Sequence, residues 1–171
     1  RNNKTNTIGV IISWINRPFI STLISGIEQT ANKHGYNVIF SQSCDSYESE
    51  VSNARALYSN RVEGLIVSLA METQKYDHIK HFIDNGIPVV FVDRVTEELN
   101  TDLVVIDNTI SSQMATEHLI EQGCKRIAHF AGAQHRNVYR NRRAGYEMAL
   151  KKHGLPIDES LIIQTKNLSG E

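Results

Sequence analysis

HLIEQGCKRIAHFAGAQHRNVYRNRRAGYEMAL, residues 118–150, decides how the chain is built. A helix ends at Gly123, and the short apolar run RIAHF follows as a strand leading to Gly132. A polar, arginine-bearing loop comes next, and a helix opens at Arg142 and stops at Gly154. Helix, strand, loop and helix joined at glycines are what a parallel sheet with crossover helices requires. In such open sheets ligands bind outside the carboxyl ends of the strands. Several guanidinium groups in one of these loops suit a polar or anionic small molecule, because their planar forks donate paired hydrogen bonds.

The same alternation extends upstream. Ile8–Ile12 is a continuous apolar run rich in β-branched residues, as expected of a strand buried on both faces. Asn16 and Pro18 mark a helix start, and Phe19, Leu23, Ile24, Ile27 and Ala31 form its apolar stripe before His34 and Gly35 end it. Strands are expected at Asn37–Ser41, Gly64–Ser68, Pro88–Asp93 and Leu103–Asp107. Helices are expected at Tyr47–Asn60, Lys75–Asn85 and Ile110–Gln122, and a last strand at Leu161–Thr165. A seam falls near Asp107–Thr109, where polar residues let one sheet end and a new helix begin. The part beyond it holds only two strands and two helices, too little to cover both faces of a sheet, so the second unit reads as incomplete.

Composition excludes several classes. The 171 residues carry 18 Lys and Arg against 19 Asp and Glu, a net charge of −1. A free-standing nucleic-acid-binding domain would be strongly basic. No apolar run approaches the ~20 residues that span a bilayer. The N-terminal RNNKTNT has no apolar h-region, which favours a cytoplasmic protein. Cys44 and Cys124 lie far apart, in no metal-binding spacing, and read as two buried free thiols. His78 and His81 are three apart on a helix, but no carboxylate or thiol obviously completes a metal set, so a solvated face is expected. No Walker loop, G-x-S-x-G, G-x-G-x-x-G or H-E-x-x-H occurs, which argues against an enzyme and gives no sign of a cofactor.

The segments Ile8–Val10, Pro18–Phe19, Gly35–Tyr36, Arg61–Val67, Ile87–Arg94, Val104–Asn108, His118–Gly132 and R-R-A-G-Y-x-x-A-L from Arg142 stand in a characteristic order and spacing. Together they resemble the LacI/GalR family of transcriptional repressors over residues 7–170. The resemblance implies the α/β effector-binding core of that family: parallel sheets flanked by helices, periplasmic-binding-protein-like type I. It divides the chain into an N-terminal effector-binding subdomain, 7–107, and a partial C-terminal one, 108–171. Cys124 replaces the family's usual His at a helix-to-strand turn, a change expected to alter packing rather than function.

Six residues stand out as ligand-binding candidates. The resemblance makes Arg142 a direct ligand contact, and relatives carry an arginine at the place of Arg136. Val138, at a variable place of the same loop, donates nothing from its side chain and leaves the ligand open. Arg143, Arg140 and His135 read as solvated. Asp93 ends a buried strand and must be paired; it could accept from a ligand hydroxyl or orient Arg142 across a cleft. Asp107 also ends a strand, with helix capping as its rival role. Phe19 occupies a place where the family stacks an apolar group on the ligand, though core packing competes. Trp14, the sole tryptophan, suits stacking on a sugar face or packing in a core or subunit contact.

The implied function is ligand sensing, with a small polar metabolite, most simply a sugar, controlling operator binding through a helix-turn-helix outside this chain. The implied assembly is a homodimer, with the helices after Pro18 and around residues 76–85 supplying its surface. The alternative is a periplasmic sugar-binding protein of a transporter, which shares the fold, and a weaker one is an enzyme on an α/β scaffold.

Overall fold

The computed structural model describes residues 5–165. The chain divides after Val104 into two compact units.

Unit 1 runs β1 (Thr7–Ile12), α1 (Pro18–Lys33), β2 (Asn37–Gln42), α2 (Tyr47–Ser59), β3 (Gly64–Val67), α3 (Asp77–Asp84), β4 (Val89–Val92) and β5 (Asp102–Val104). Its five strands are ordered β2-β1-β3-β4-β5 and every pairing is parallel. The central strands bury both faces, as their unbroken apolar runs require. Val10 and Ile12 meet Ile20, Leu23, Ile24 and Ile27 of α1. Ile11, Leu65 and Val67 face the other way, onto Ala54 and Leu57 of α2 and Ile79 and Phe82 of α3. Each such side chain, taken fully from water, contributes about 1.5–3 kcal/mol before entropic losses.

Unit 2 holds α4 (Asn108–Glu121), β6 (His129–Ala131), α5 (Asn137–Lys152), a single 3-10 turn (Glu159–Leu161) and β7 (Ile162–Gln164), with β6 and β7 paired in parallel. The two helices press together unusually closely. A Cβ added at Gly145 of α5 would lie 2.1 Å from the carbonyl oxygen of Thr109, so only glycine permits the crossing. Tyr146, next in sequence, packs with Ile127 and Leu150, and its hydroxyl donates to the Ile127 carbonyl at 2.9 Å. The G-Y pair therefore builds unit 2.

Several expectations need correction. Helix α5 begins at Asn137, not Arg142: Arg136 sits at the N-cap in extended geometry and accepts from the Arg140 amide. Val138, Gly145, Tyr146 and Ala149 share the buried stripe, but Arg142 occupies the turn between Val138 and Tyr146 and hides the periodicity. Helix α3 starts at Asp77 rather than Lys75. Strand β5 is a short exposed edge ending at Val104, so 105–107 form no strand. Both cysteines are exposed, not buried. Phe19 is 53% exposed, and Ile20 takes the inward place on α1 instead. On α4 the apolar Met114 and Leu119 are exposed, while Asn108 and Thr116 are buried.

Candidate functional site

In unit 1 the connection from β1 leads to β2 on one side, and β3 lies on the other. Loops leaving β1 and β3 diverge there, which is the place where open α/β sheets hold ligands. Trp14 lies in the loop after β1, half-buried, and its Nε1 donates to Oδ2 of Asp45 at 3.1 Å. Asp45 follows β2, and its Oδ1 accepts from the Met71 amide after β3 at 3.2 Å and from Nη1 of Arg94 after β4. Cys44 and Asp45 both have left-handed backbone, φ 52° and 64°. That conformation costs roughly 1–2 kcal/mol per residue and persists only where surrounding contacts enforce it. Asp93, which follows β4, is half-buried with φ 57°, and its amide donates to the Val104 carbonyl at 3.1 Å. Phe19 stands exposed at the second residue of α1, unabsorbed by the core.

Behind the β3 loop a second carboxylate is fully buried. Glu50 of α2 accepts from the Ala70 amide, from the Thr73 hydroxyl at 3.0 Å and from Nε2 of His78 at 2.7 Å. His78 is thus no solvated residue, and among the described residues no group of three or more metal-ligating side chains forms. His81 instead lies against the ring of Tyr58. A groove of about 600 Å³ between α2 and α3, walled by Tyr47, Tyr58 and His81, is lined by none of the six candidates. It is a helix–helix furrow lined by Ala54 and Phe82 together with the polar Arg55, Asp77 and His78, and what sets it apart from the strand-end edge is its place between helices rather than a want of polar groups.

In unit 2 the Asp107 side chain caps α4, accepting from the Ile110 amide at 2.8 Å. The next residue, Asn108, is buried and accepts at Oδ1 from Nε of Arg142 at 2.9 Å. Arg142 is otherwise exposed. Arg136 differs sharply: it is 1% exposed, at the N-cap of α5. Arg143 is half-buried and engaged by Glu147 at 2.7 Å and Glu159 at 3.1 Å, and the bond to Glu147 raises its pKa. His129 stacks on Tyr146, and burial, reinforced by the nearby Arg143 charge, lowers its pKa.

Each unit therefore gathers part of the candidate set. Trp14 and Asp93 belong to the strand-end edge of unit 1, and Asp107 and Arg142 converge around Asn108 in unit 2. Asp45, Glu50, Arg94 and Asn108 were not foreseen. Asp45 follows a strand end as Asp93 does, so the same rule could have found it. Glu50 carried no signal, since its position on α2 reads as one more charge of a solvated face.

Residues 5–169 match the family described as periplasmic binding proteins and sugar binding domain of the LacI family. The chain belongs to that family. The transcriptional regulator DegA of Bacillus subtilis (strain 168) is 29% identical over 164 residues, 95% of this chain and 49% of that protein. The ribose operon repressor of Halalkalibacterium halodurans is 32% identical over 145 residues, 85% of this chain and 42% of that protein. Among solved structures, a periplasmic binding protein/LacI transcriptional regulator from Alkaliphilus metalliredigens QYMF, complexed with D-xylulofuranose, superposes with a TM-score of 0.82. It is 29% identical, with 95% of this chain and 57% of that one covered. The chain spans about half the length of the regulators it matches.

Proposed function

We propose that the chain is the effector-sensing part of a sugar-responsive transcriptional regulator. One observation carries this reading: Arg142, exposed on α5, is anchored through Nε by Asn108, which leaves its terminal nitrogens for a ligand. A guanidinium fixed at one nitrogen has lost most of its rotamer freedom before binding, so less affinity is spent on ordering it. Asp93, Trp14 and Phe19 of unit 1, and Arg136 and Asp107 of unit 2, support the same role. Asp107 acts indirectly, by setting the start of α4. The D-xylulofuranose held by the Alkaliphilus protein fits the mixture of carboxylate, guanidinium and aromatic groups found here.

The sensor works by shifting a conformational population through differential affinity for effector. Operator DNA, bound by a helix-turn-helix outside this chain, then changes effector affinity by the same factor. The working form is a cytoplasmic homodimer with half-sites about one helical turn apart. It performs no catalysis and uses no cofactor. The regulators among its relatives favour this reading over a transporter's binding protein. Thermal denaturation of the complete protein against pentoses, hexoses, disaccharides and sugar phosphates tests it. A true effector at a hundredfold its Kd adds about 2.7 kcal/mol of stability. A panel that leaves the melting temperature unmoved sinks the proposal.

A further inference from the structure

We propose that Asp45 is the positioning residue of the unit 1 edge: it touches no ligand, and it fixes Trp14 and Arg94 in the arrangement from which they act. The proposal rests on the sugar-sensing reading above and adds a residue that the reading does not contain.

Four strand ends converge on this one carboxylate. The loop after β1 contributes the Trp14 indole N–H, at 3.1 Å from Oδ2. The loop after β3 contributes the Met71 amide, at 3.2 Å from Oδ1, and the loop after β4 contributes the Arg94 guanidinium. Asp45 itself ends the connection from β2, and its carbonyl accepts from the Glu72 amide at 3.2 Å. Both carboxylate oxygens are thereby engaged, by donors lying 31, 26 and 49 residues away in sequence. With three of its roughly four acceptor sites filled by protein donors, the carboxylate acts chiefly through those donors. Among the donors to Asp45, the indole and the guanidinium have planar faces able to stack on a sugar ring, and each is tethered by its N–H edge.

Glu50 supplies the internal control. It grips the same loop after β3, through Ala70 and Thr73, but is fully buried and reaches neither Trp14 nor Arg94 by any described bond. Loss of Glu50 loosens the loop without freeing the indole; loss of Asp45 frees both.

The experiment uses the complete protein with Asp45→Asn, Asp45→Ala, Glu50→Gln and Trp14→Phe variants. Acrylamide quenching of Trp14, taken as the difference from Trp14→Phe, needs no effector. Asp45→Ala is expected to raise the quenching constant at least twofold, Asp45→Asn to raise it less, and Glu50→Gln to leave it unchanged. Equal quenching in Asp45→Ala and wild type overturns the proposal. The second readout is the thermal shift produced by D-xylulose and the other panel sugars. Where wild type responds, Asp45→Ala should weaken apparent affinity at least tenfold, and the double variant with Trp14→Phe should lose little more than either alone. Additive losses overturn the proposal. A wild type silent to every sugar counts against the sensing reading alone, because quenching still decides the positioning role.

Discussion

Arg142 and Asn108 are joined at 2.9 Å, and the pair links the middle of α5 to the first residue of α4. The acceptor is buried and the donor exposed, so the bond orients the guanidinium more than it holds the unit together. Packing near Gly145 already fixes the helices there.

Arg142→Ala should therefore separate binding from folding. Unfolding free energy in urea should fall by no more than about 1 kcal/mol, the scale of one lost hydrogen bond. The stabilisation conferred by sugar should vanish. Persistence of that sugar response in the variant would remove Arg142 from the ligand-binding set. Arg142→Lys should behave like the alanine variant, since an ammonium cannot donate to Asn108 and to a ligand with one planar fork.

Gly145→Ala should damage unit 2 severely. A methyl group 2.1 Å from the Thr109 carbonyl, and 2.9 Å from the Gln113 amide nitrogen, meets backbone that cannot swing aside. Overpacking costs typically 1–3 kcal/mol where side chains can yield, and more is expected here. Equilibrium denaturation measures it; a loss under 1 kcal/mol would mean that α4 and α5 slide apart freely.

Glu50→Ala leaves the Ala70 amide, the Thr73 hydroxyl and His78 without their acceptor in a buried setting. Removing one partner of such a buried cluster costs about 3–5 kcal/mol. Glu50→Gln preserves shape and one acceptor oxygen and should cost clearly less. Equal destabilisation by the two substitutions would show that volume, not hydrogen bonding, decides the matter.

Acid should weaken unit 2 through His129. Burial lowers its pKa from the ordinary 6.5, so the unfolded chain takes up the proton more readily than the folded one. Stability should fall as pH drops below about 6.5, until the folded pKa is passed and the loss levels off. His129→Phe, which keeps an aromatic partner for Tyr146, should flatten the profile between pH 7 and 5 relative to wild type. Glu117 and Asp158 are lowered by their hydrogen-bond donors, chiefly Lys152 and Ser160, and their contribution is lost only as pH falls below 4.5 and 3.8. Superimposable profiles for His129→Phe and wild type would contradict the assignment.

The sheet was legible in the sequence because its central strands are short apolar runs rich in β-branched residues, as at Ile8–Ile12 and Gly64–Ser68. The start of α5 was not, because a polar N-terminal turn looks like a loop and Arg142 interrupts the stripe that Val138 begins. The inward face of α1 was misjudged, and that of α4 departs from the usual pattern. Phe19 sits beside Ile20 at the helix start, where one residue of phase separates core from solvent. On α4 the close approach of Gly145 favours small polar residues at the crossing, reversing the usual rule that apolar residues face inward. Asp93 and Asp107 became candidates because each visibly terminates a strand-like run, whereas Glu50 is one charge in the first turn of a polar helix, and only three-dimensional convergence reveals its contacts.

The meeting of Trp14, Asp45, Met71 and Arg94 also has a temporal side. A chain emerging from the ribosome can pair its first three strands while Arg94 is still inside the exit tunnel, and Asp45 then carries its charge with no cation beside it. On the positioning role proposed for Asp45, the indole and the guanidinium are held together only once the fourth strand has been delivered. Chains arrested before residue 94 is exposed should show a Trp14 more open to quencher than chains arrested after it.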